Sequence, residues 1–267
     1  MTCAFVPKPI VGRIARRYVA GDTLDDAVRT LREINEEGAM GTVDVLGEEV
    51  REPAKATSAV AEYLRLLDRI EDAKLDANIS IKPTMLGLKI DQALCEENLA
   101  AIAGRASELD SFVRIDMEDH TCTDGTIQLY RRMHENHGST VGIVLQSYLH
   151  RTVADINDLL PLNPNIRICK GIYREPREIA WKDFETIRAN FVYCVEKLLA
   201  EGAYVGIATH DPYLAWAGMQ IVDRLGLDRD RYEFQMLLGV DPELRRIILS
   251  NGHRLRVYVP YGRDWYP

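Results

Sequence analysis

Residues 112–173 carry three segments of one kind: FVRIDMED at 112–119, TVGIVLQSY at 140–148 and IRICKGIY at 166–173. Each is short, apolar and rich in β-branched residues, as a buried strand must be. Each also turns polar toward its C-terminal end. Working outward, the same kind of segment recurs as NISIKPTMLG at 78–87 and GTVDVLGEEV at 41–50. Toward the C-terminus it recurs as YVGIATH at 204–210, YEFQMLLG at 232–239 and LRVYVPYG at 255–262.

The intervals between these segments have helical periodicity. Tyr63, Leu64, Leu67 and Ile70 share one face of a 3.6-residue repeat, as do Ile127, Tyr130 and Met133. Phe184, Ile187, Phe191, Val195 and Leu198 form a third such stripe. Asp241-Pro242 reads as a cap before a first-turn proline, and Asn251-Gly252 as the stop of that helix. A further helix with Leu24, Ala27, Leu31 and Ile34 precedes the first strand as an N-terminal extension.

Eight strands separated by seven helices predict a parallel sheet, because each crossover returns the chain in the same direction. Eight strands also close a barrel, and roughly 250 residues suffice for one. The expected fold is therefore a (β/α)8 TIM barrel forming a single domain over residues 1–267. An open doubly wound sheet is the alternative, but the turn at Leu46-Gly47-Glu48 lacks the GxGxxG spacing of a dinucleotide loop. Only RDWYP follows Gly262. The barrel is thus expected to be truncated before its final C-terminal helix, with the edge at the eighth strand poorly covered.

A net charge of -8 argues against an extended nucleic-acid face. The five cysteines are odd in number and form no Cys-x-x-Cys pair, so neither a disulfide framework nor a thiolate zinc site is expected. His134 and His137 fall on an apparent helix, expected to be exposed, and suggest no metal site. No secretory signal and no run of about 20 apolar residues is present, so a cytoplasmic protein is expected.

The chemistry should lie at the C-terminal strand ends, which face the mouth of such a barrel. Lys82, Asp116, Glu118, Asp119, Gln146, Tyr148, Arg167, Lys170, Tyr173, Thr209, His210, Glu233, Gln235, Tyr258 and Tyr261 all fall at or close to these ends. So many polar groups at buried positions require either an ion-pair network or a polar binding site. Lys82 and Lys170 suit a Schiff-base aldolase if a lysine is held neutral. An organic redox cofactor suits the same set equally well.

SIKPTMLG at 80–87, RIDMED at 114–119, QSYL at 146–149, RICKGIY at 167–173, ATH at 208–210, YEFQMLLG at 232–239 and RVYVPYG at 256–262 together resemble the proline dehydrogenase family in its monofunctional bacterial form. The resemblance runs in family order from about residue 20 to the end. It implies a distorted (β/α)8 TIM barrel, an FAD-dependent flavoprotein that oxidises L-proline to Δ1-pyrroline-5-carboxylate and passes the electrons to a membrane quinone. Transient peripheral contact with the inner face of the cell membrane follows from that acceptor.

The resemblance also implies roles. Arg167 is similar to the arginine beside flavin N5 and the pyrimidine edge, and Gln146 to a partner of the ring. Lys170, Gly171, Thr209 and His210 resemble residues that hold the rest of the cofactor. Lys82 and Asp116 are similar to a polar pair beside the substrate, and Tyr173 and Tyr258 to aromatic walls around proline. The family's eighth helix implies two adjacent arginines that clamp the substrate carboxylate. RDWYP offers no match for them, which implies weak proline binding or a barrel serving only as a scaffold.

Overall fold

The computed structural model describes residues 17–47 and 49–263. Expectations resting on Cys3, Glu48 and residues 264–267 lie outside them. The strands are β1 (Met40–Val45), β2 (Ala77–Ile81), β3 (Val113–Ile115), β4 (Val141–Gln146), β5 (Asn165–Cys169), β6 (Tyr204–Ala208), β7 (Tyr232–Leu237) and β8 (Leu255–Tyr261). They pair in parallel in sequence order, and β8 pairs back onto β1 to close the barrel. The open-sheet alternative is thereby excluded.

Eight α-helices surround these strands: α1 (Leu24–Glu36), α2 (Pro53–Asp72), α3 (Gln92–Glu108), α4 (Thr123–His137), α5 (Thr152–Leu159), α6 (Phe184–Ala200), α7 (Pro212–Arg224) and α8 (Pro242–Ser250). Aspartates start many of them. The side chains of Asp91, Asp183, Asp211 and Asp241 each accept an amide N–H of the first turn. Thr23 and Asp26 cap α1 reciprocally. The Asp241-Pro242 start and the Asn251 stop fall where the sequence places them.

One expectation is corrected by α1. The flank of β8 is not bare, because α1 packs against both β8 and β1. The approach is close: a Cβ built on Gly41 would lie 2.2 Å from Leu31 Cδ2. Residues leading into α1 also bind the end of β8, with Ala20 N donating to Pro260 O and Gly262 N donating to Gly21 O, each at 2.9 Å. A helix before the first strand therefore covers the seam. On the α6 stripe Phe191, Val195 and Leu198 are buried, whereas Phe184 is exposed. It lies in the first helical turn, where the Arg188 guanidinium stacks on it at 4.2 Å. His134 and His137 are half-buried rather than exposed.

Alternation along the strands separates two environments. Val43, Ile79, Ile115, Ile143, Ile168, Ile207 and Val257 pack in the apolar layer shared with the helices. The opposite positions fill the barrel with polar side chains. Arg114, Arg167, Glu233 and Arg256 are all buried, and burying charges is costly unless they are paired and hydrogen-bonded. Arg256 Nε donates to Glu233 Oε1 at 2.8 Å, and Tyr204 OH donates to Glu233 Oε2 at 2.9 Å. Arg114 instead donates to the carbonyls of Asn165 and Ile143 at 2.7 and 3.1 Å. Burial and repulsion by Arg167 push Arg114 down to about 9. Gly142 supplies the room, since a Cβ there would lie 2.5 Å from Arg114 Nη1.

Candidate active site

At the C-terminal ends of the strands lies a cavity of ≈ 480 Å³. All ten residues to which the resemblance gives roles line it: Lys82, Asp116, Gln146, Arg167, Lys170, Gly171, Tyr173, Thr209, His210 and Tyr258. Of the other polar strand-end residues, Glu118 and Gln235 line it too, whereas Asp119, Tyr148, Glu233 and Tyr261 do not. Leu46, Met117, Val144, Met236 and Leu237 give the same cavity an apolar wall. A mostly apolar cleft with a few converging polar groups is the usual form of a small-molecule site.

Arg167 projects inward from β5 and is held on every nitrogen. Nη1 donates to Asp116 Oδ1 at 2.7 Å and Nη2 to Ser80 Oγ at 3.0 Å. Nε donates to Gln235 Oε1. Its guanidinium carbon also lies 5.4 Å from the centroid of the Tyr258 ring. A guanidinium has five N–H groups, so these three bonds leave one on each terminal nitrogen for a ligand. Tyr258 OH donates to the second oxygen of Asp116 at 2.9 Å. Burial, followed by the Asp116 charge, holds that phenol well above its ordinary value, so Tyr258 is a donor at neutral pH.

Lys82 and Asp116 line the same cavity but do not pair with each other. Lys82 Nζ donates to Asp44 Oδ2 at 2.5 Å, and Tyr63 OH reaches Asp44 Oδ1 at 3.4 Å. Burial alone would depress Lys82. The Asp44 and Asp116 carboxylates outweigh it and raise Lys82 above the ordinary lysine value. A Schiff-base lysine needs the opposite shift, so this geometry disfavours aldolase chemistry at Lys82. Lys170 is likewise ion-paired, with Asp211 Oδ2 at 3.2 Å.

Local folding places that second cation. Asp211 caps α7 and accepts two bonds from Arg188, at 2.9 and 2.8 Å. Thr209 Oγ1 accepts the Asp211 amide at 3.0 Å, tying the end of β6 to the cap. His210 Nε2 accepts the Leu237 amide at 2.7 Å, which places the ring proton on Nδ1. Burial and then Lys170 push His210 below its ordinary value, so it is neutral at pH 7. Gly171 has φ +110°, and a Cβ there would lie 2.3 Å from the Tyr148 ring. Gln146 is buried and donates to the Glu118 carbonyl at 2.9 Å. Tyr173 sits half-buried at the cavity edge.

Sequence reasoning gave no role to Asp44, Tyr63 or Arg188, and noted Gln235 only as polar. Asp44 had a legible signal, since it alternates with Thr42 on the inward face of β1. Tyr63 and Arg188 come from helices and meet the site only through tertiary packing.

A model of the proline dehydrogenase family matches residues 27–264. Proline dehydrogenase 1 of Bacillus subtilis subsp. natto is 36% identical over 252 residues, covering 94% of this chain and 83% of that relative. Proline dehydrogenase of Deinococcus radiodurans is 36% identical over 257 residues, covering 95% of this chain and 83% of that relative. In three dimensions, proline utilization A from Bdellovibrio bacteriovorus, solved after inactivation by N-propargylglycine, superimposes with a TM-score of 0.90. It covers 96% of this chain and 32% of that one at 22% identity, a likeness of fold.

Proposed function

The chain belongs to the proline dehydrogenase family, and on that premise we propose that it oxidises L-proline to Δ1-pyrroline-5-carboxylate, using FAD as first electron acceptor and a membrane quinone as the second. The observation that carries this reading is Arg167, fastened on three sides beneath an apolar-walled cavity with N–H groups to spare. Such a site suits a flat apolar ring system with one polar edge. A metal-activated reaction would need a different donor set. Among the described residues no group of three His, Cys, Asp or Glu side chains could hold a metal ion.

The residues present fit a flavin. Arg167 and Gln146 would face its polar edge, and Leu46, Val144 and Met236 its apolar surface. Lys170, Thr209 and His210 would hold the part extending along β5 and β6, where Lys170 and Arg188 supply positive charge for the pyrophosphate. When bound, FAD supplies the acceptor for the hydride that leaves proline C5.

The chain's own groups bind and orient the substrate. Lys82, kept cationic by Asp44, pairs with the proline carboxylate. Tyr258 and Tyr173 confine the pyrrolidine ring, and Asp116 holds both Arg167 and the Tyr258 hydroxyl in place. As the C5–H bond breaks, the neutral amine's lone pair becomes the C–N π bond, and the remaining N–H proton passes to solvent. Orientation accounts for much of such a rate, and a fixed cation favours negative charge arriving beside it.

Transfer to a quinone requires only transient approach to a bilayer. No helix among the described residues is long and apolar enough to cross one. The test is product formation: purified protein given L-proline and a soluble quinone should yield Δ1-pyrroline-5-carboxylate, trapped with o-aminobenzaldehyde. Absence of product from protein that carries FAD would contradict the reading.

A further inference from the structure

β5 and β7 are not neighbours, because β6 lies between them. Yet Gln235 on β7 reaches Arg167 on β5. It does so across Gly206, whose register partners are Arg167 on one side and Glu233 on the other. A Cβ at Gly206 would lie 2.7 Å from Gln235 Nε2 and 3.5 Å from Arg167 Cα. The missing side chain on β6 is therefore what lets the amide pass.

The amide has one workable orientation. Its Oε1 accepts from Arg167 Nε, and its Nε2 donates to Glu233 Oε1 at 2.5 Å. Glu233 is in turn bound by Arg256, which also donates to the Gly41 carbonyl at 2.7 Å. The chain of contacts thus runs from cation to carboxylate to neutral amide to cation. A direct Arg167–Glu233 pair would place a second carboxylate on Arg167, which already has Asp116. Glutamine accepts from one neighbour and donates to the other while carrying no charge.

We propose that Gln235 is a positioning residue that fixes the Arg167 guanidinium and insulates its charge from Glu233, and so sets the electron affinity of a flavin bound beside it. This rests on the flavin reading above. Glu233 is ionised at working pH, since Arg256 overcomes its burial and holds it at about 2. The insulation therefore separates a real negative charge from Arg167, at a depth where water screens little.

The test uses the FAD-loaded protein and reads the flavin midpoint potential, FAD content and melting temperature. The variants are Gln235→Glu and Gln235→Met. Gln235→Glu sets a carboxylate against Arg167. It should favour the oxidised over the two-electron-reduced flavin by at least tenfold, a fall of about 30 mV. Gln235→Met fills a similar volume without either hydrogen bond and should shift the potential the same way by less. A merely structural role would lower the melting temperature and leave both potentials at the wild-type value, and that result overturns the proposal. Loss of FAD from both variants at unchanged melting temperature also overturns it, by making Gln235 a binding residue. Wild-type protein unable to bind FAD would instead remove the flavin reading and this inference with it.

Discussion

Lys82 donates to Asp44 at 2.5 Å and leaves Asp116 to Arg167 and Tyr258. Lys82 and Arg167 thereby rest on different carboxylates at the mouth of the barrel, and each pair can be addressed by its own substitution.

Lys82→Met should raise the KM for proline by about 100-fold, the scale of losing one partner of a buried charge pair, with FAD content unchanged. Asp44→Asn should raise KM less, since the ammonium is retained but loses its anchor. Steady-state kinetics and flavin absorbance check both. An unchanged KM in Lys82→Met would remove Lys82 as the carboxylate partner.

Arg167→Met addresses the other pair. FAD should still bind through Lys170, Thr209 and His210, but reduction by proline should slow by about 100- to 1000-fold, the scale of removing a preorganised charge donor. Rapid mixing of FAD-loaded protein with proline measures this. A variant reduced at the wild-type rate would deny Arg167 its role.

Gly171→Ala tests the backbone packed against Tyr148. At φ +110°, with a Cβ 2.3 Å from the Tyr148 ring, the substitution should cost about 1–3 kcal/mol of local strain. The expected signs are a lower melting temperature and reduced FAD retention. Normal values for both would show that this turn yields freely.

Acid stability should depend on Glu233. Its folded-state pKa of about 2 lies below the ordinary 4.5. The unfolded chain therefore binds the proton first as pH falls, and stability present above about 4.5 is lost toward about 2. That amounts to on the order of 3 kcal/mol. Glu233→Gln should be less stable at pH 7, because Arg256 loses its counter-charge, but should show a shallower decline between pH 5 and 3. Parallel denaturant titrations would decide it, and equal declines would count against Glu233 as a contributor.

The barrel was legible because its strands are apolar runs with polar tails, and every expected segment holds a strand starting within one residue of it. The tails misled only on length: Lys82, Glu118 and Lys170 belong to loops, where their side chains meet the cavity. That these residues would meet in one cavity was legible for the same reason, since strand ends in a parallel barrel converge. Partner choice was not legible. Lys82 lies near Asp116 and Asp44 alike, and its partner is Asp44 because Arg167 and Tyr258 reach across the barrel from β5 and β8 to take Asp116. The role of α1 was hidden too, because a helix before the first strand gives no sequence sign that it will cover the last. Gln235 could be seen as polar, but its reach to Arg167 depends on Gly206, on a third strand.

The most direct measurement is anaerobic mixing of the FAD-loaded protein with L-proline, ordinary and deuterated at C5, while the flavin absorbance is followed. The account predicts stoichiometric bleaching that slows measurably with C5 deuterium, because that C–H bond breaks as the electrons leave proline. Flavin that stays oxidised in excess proline would contradict it.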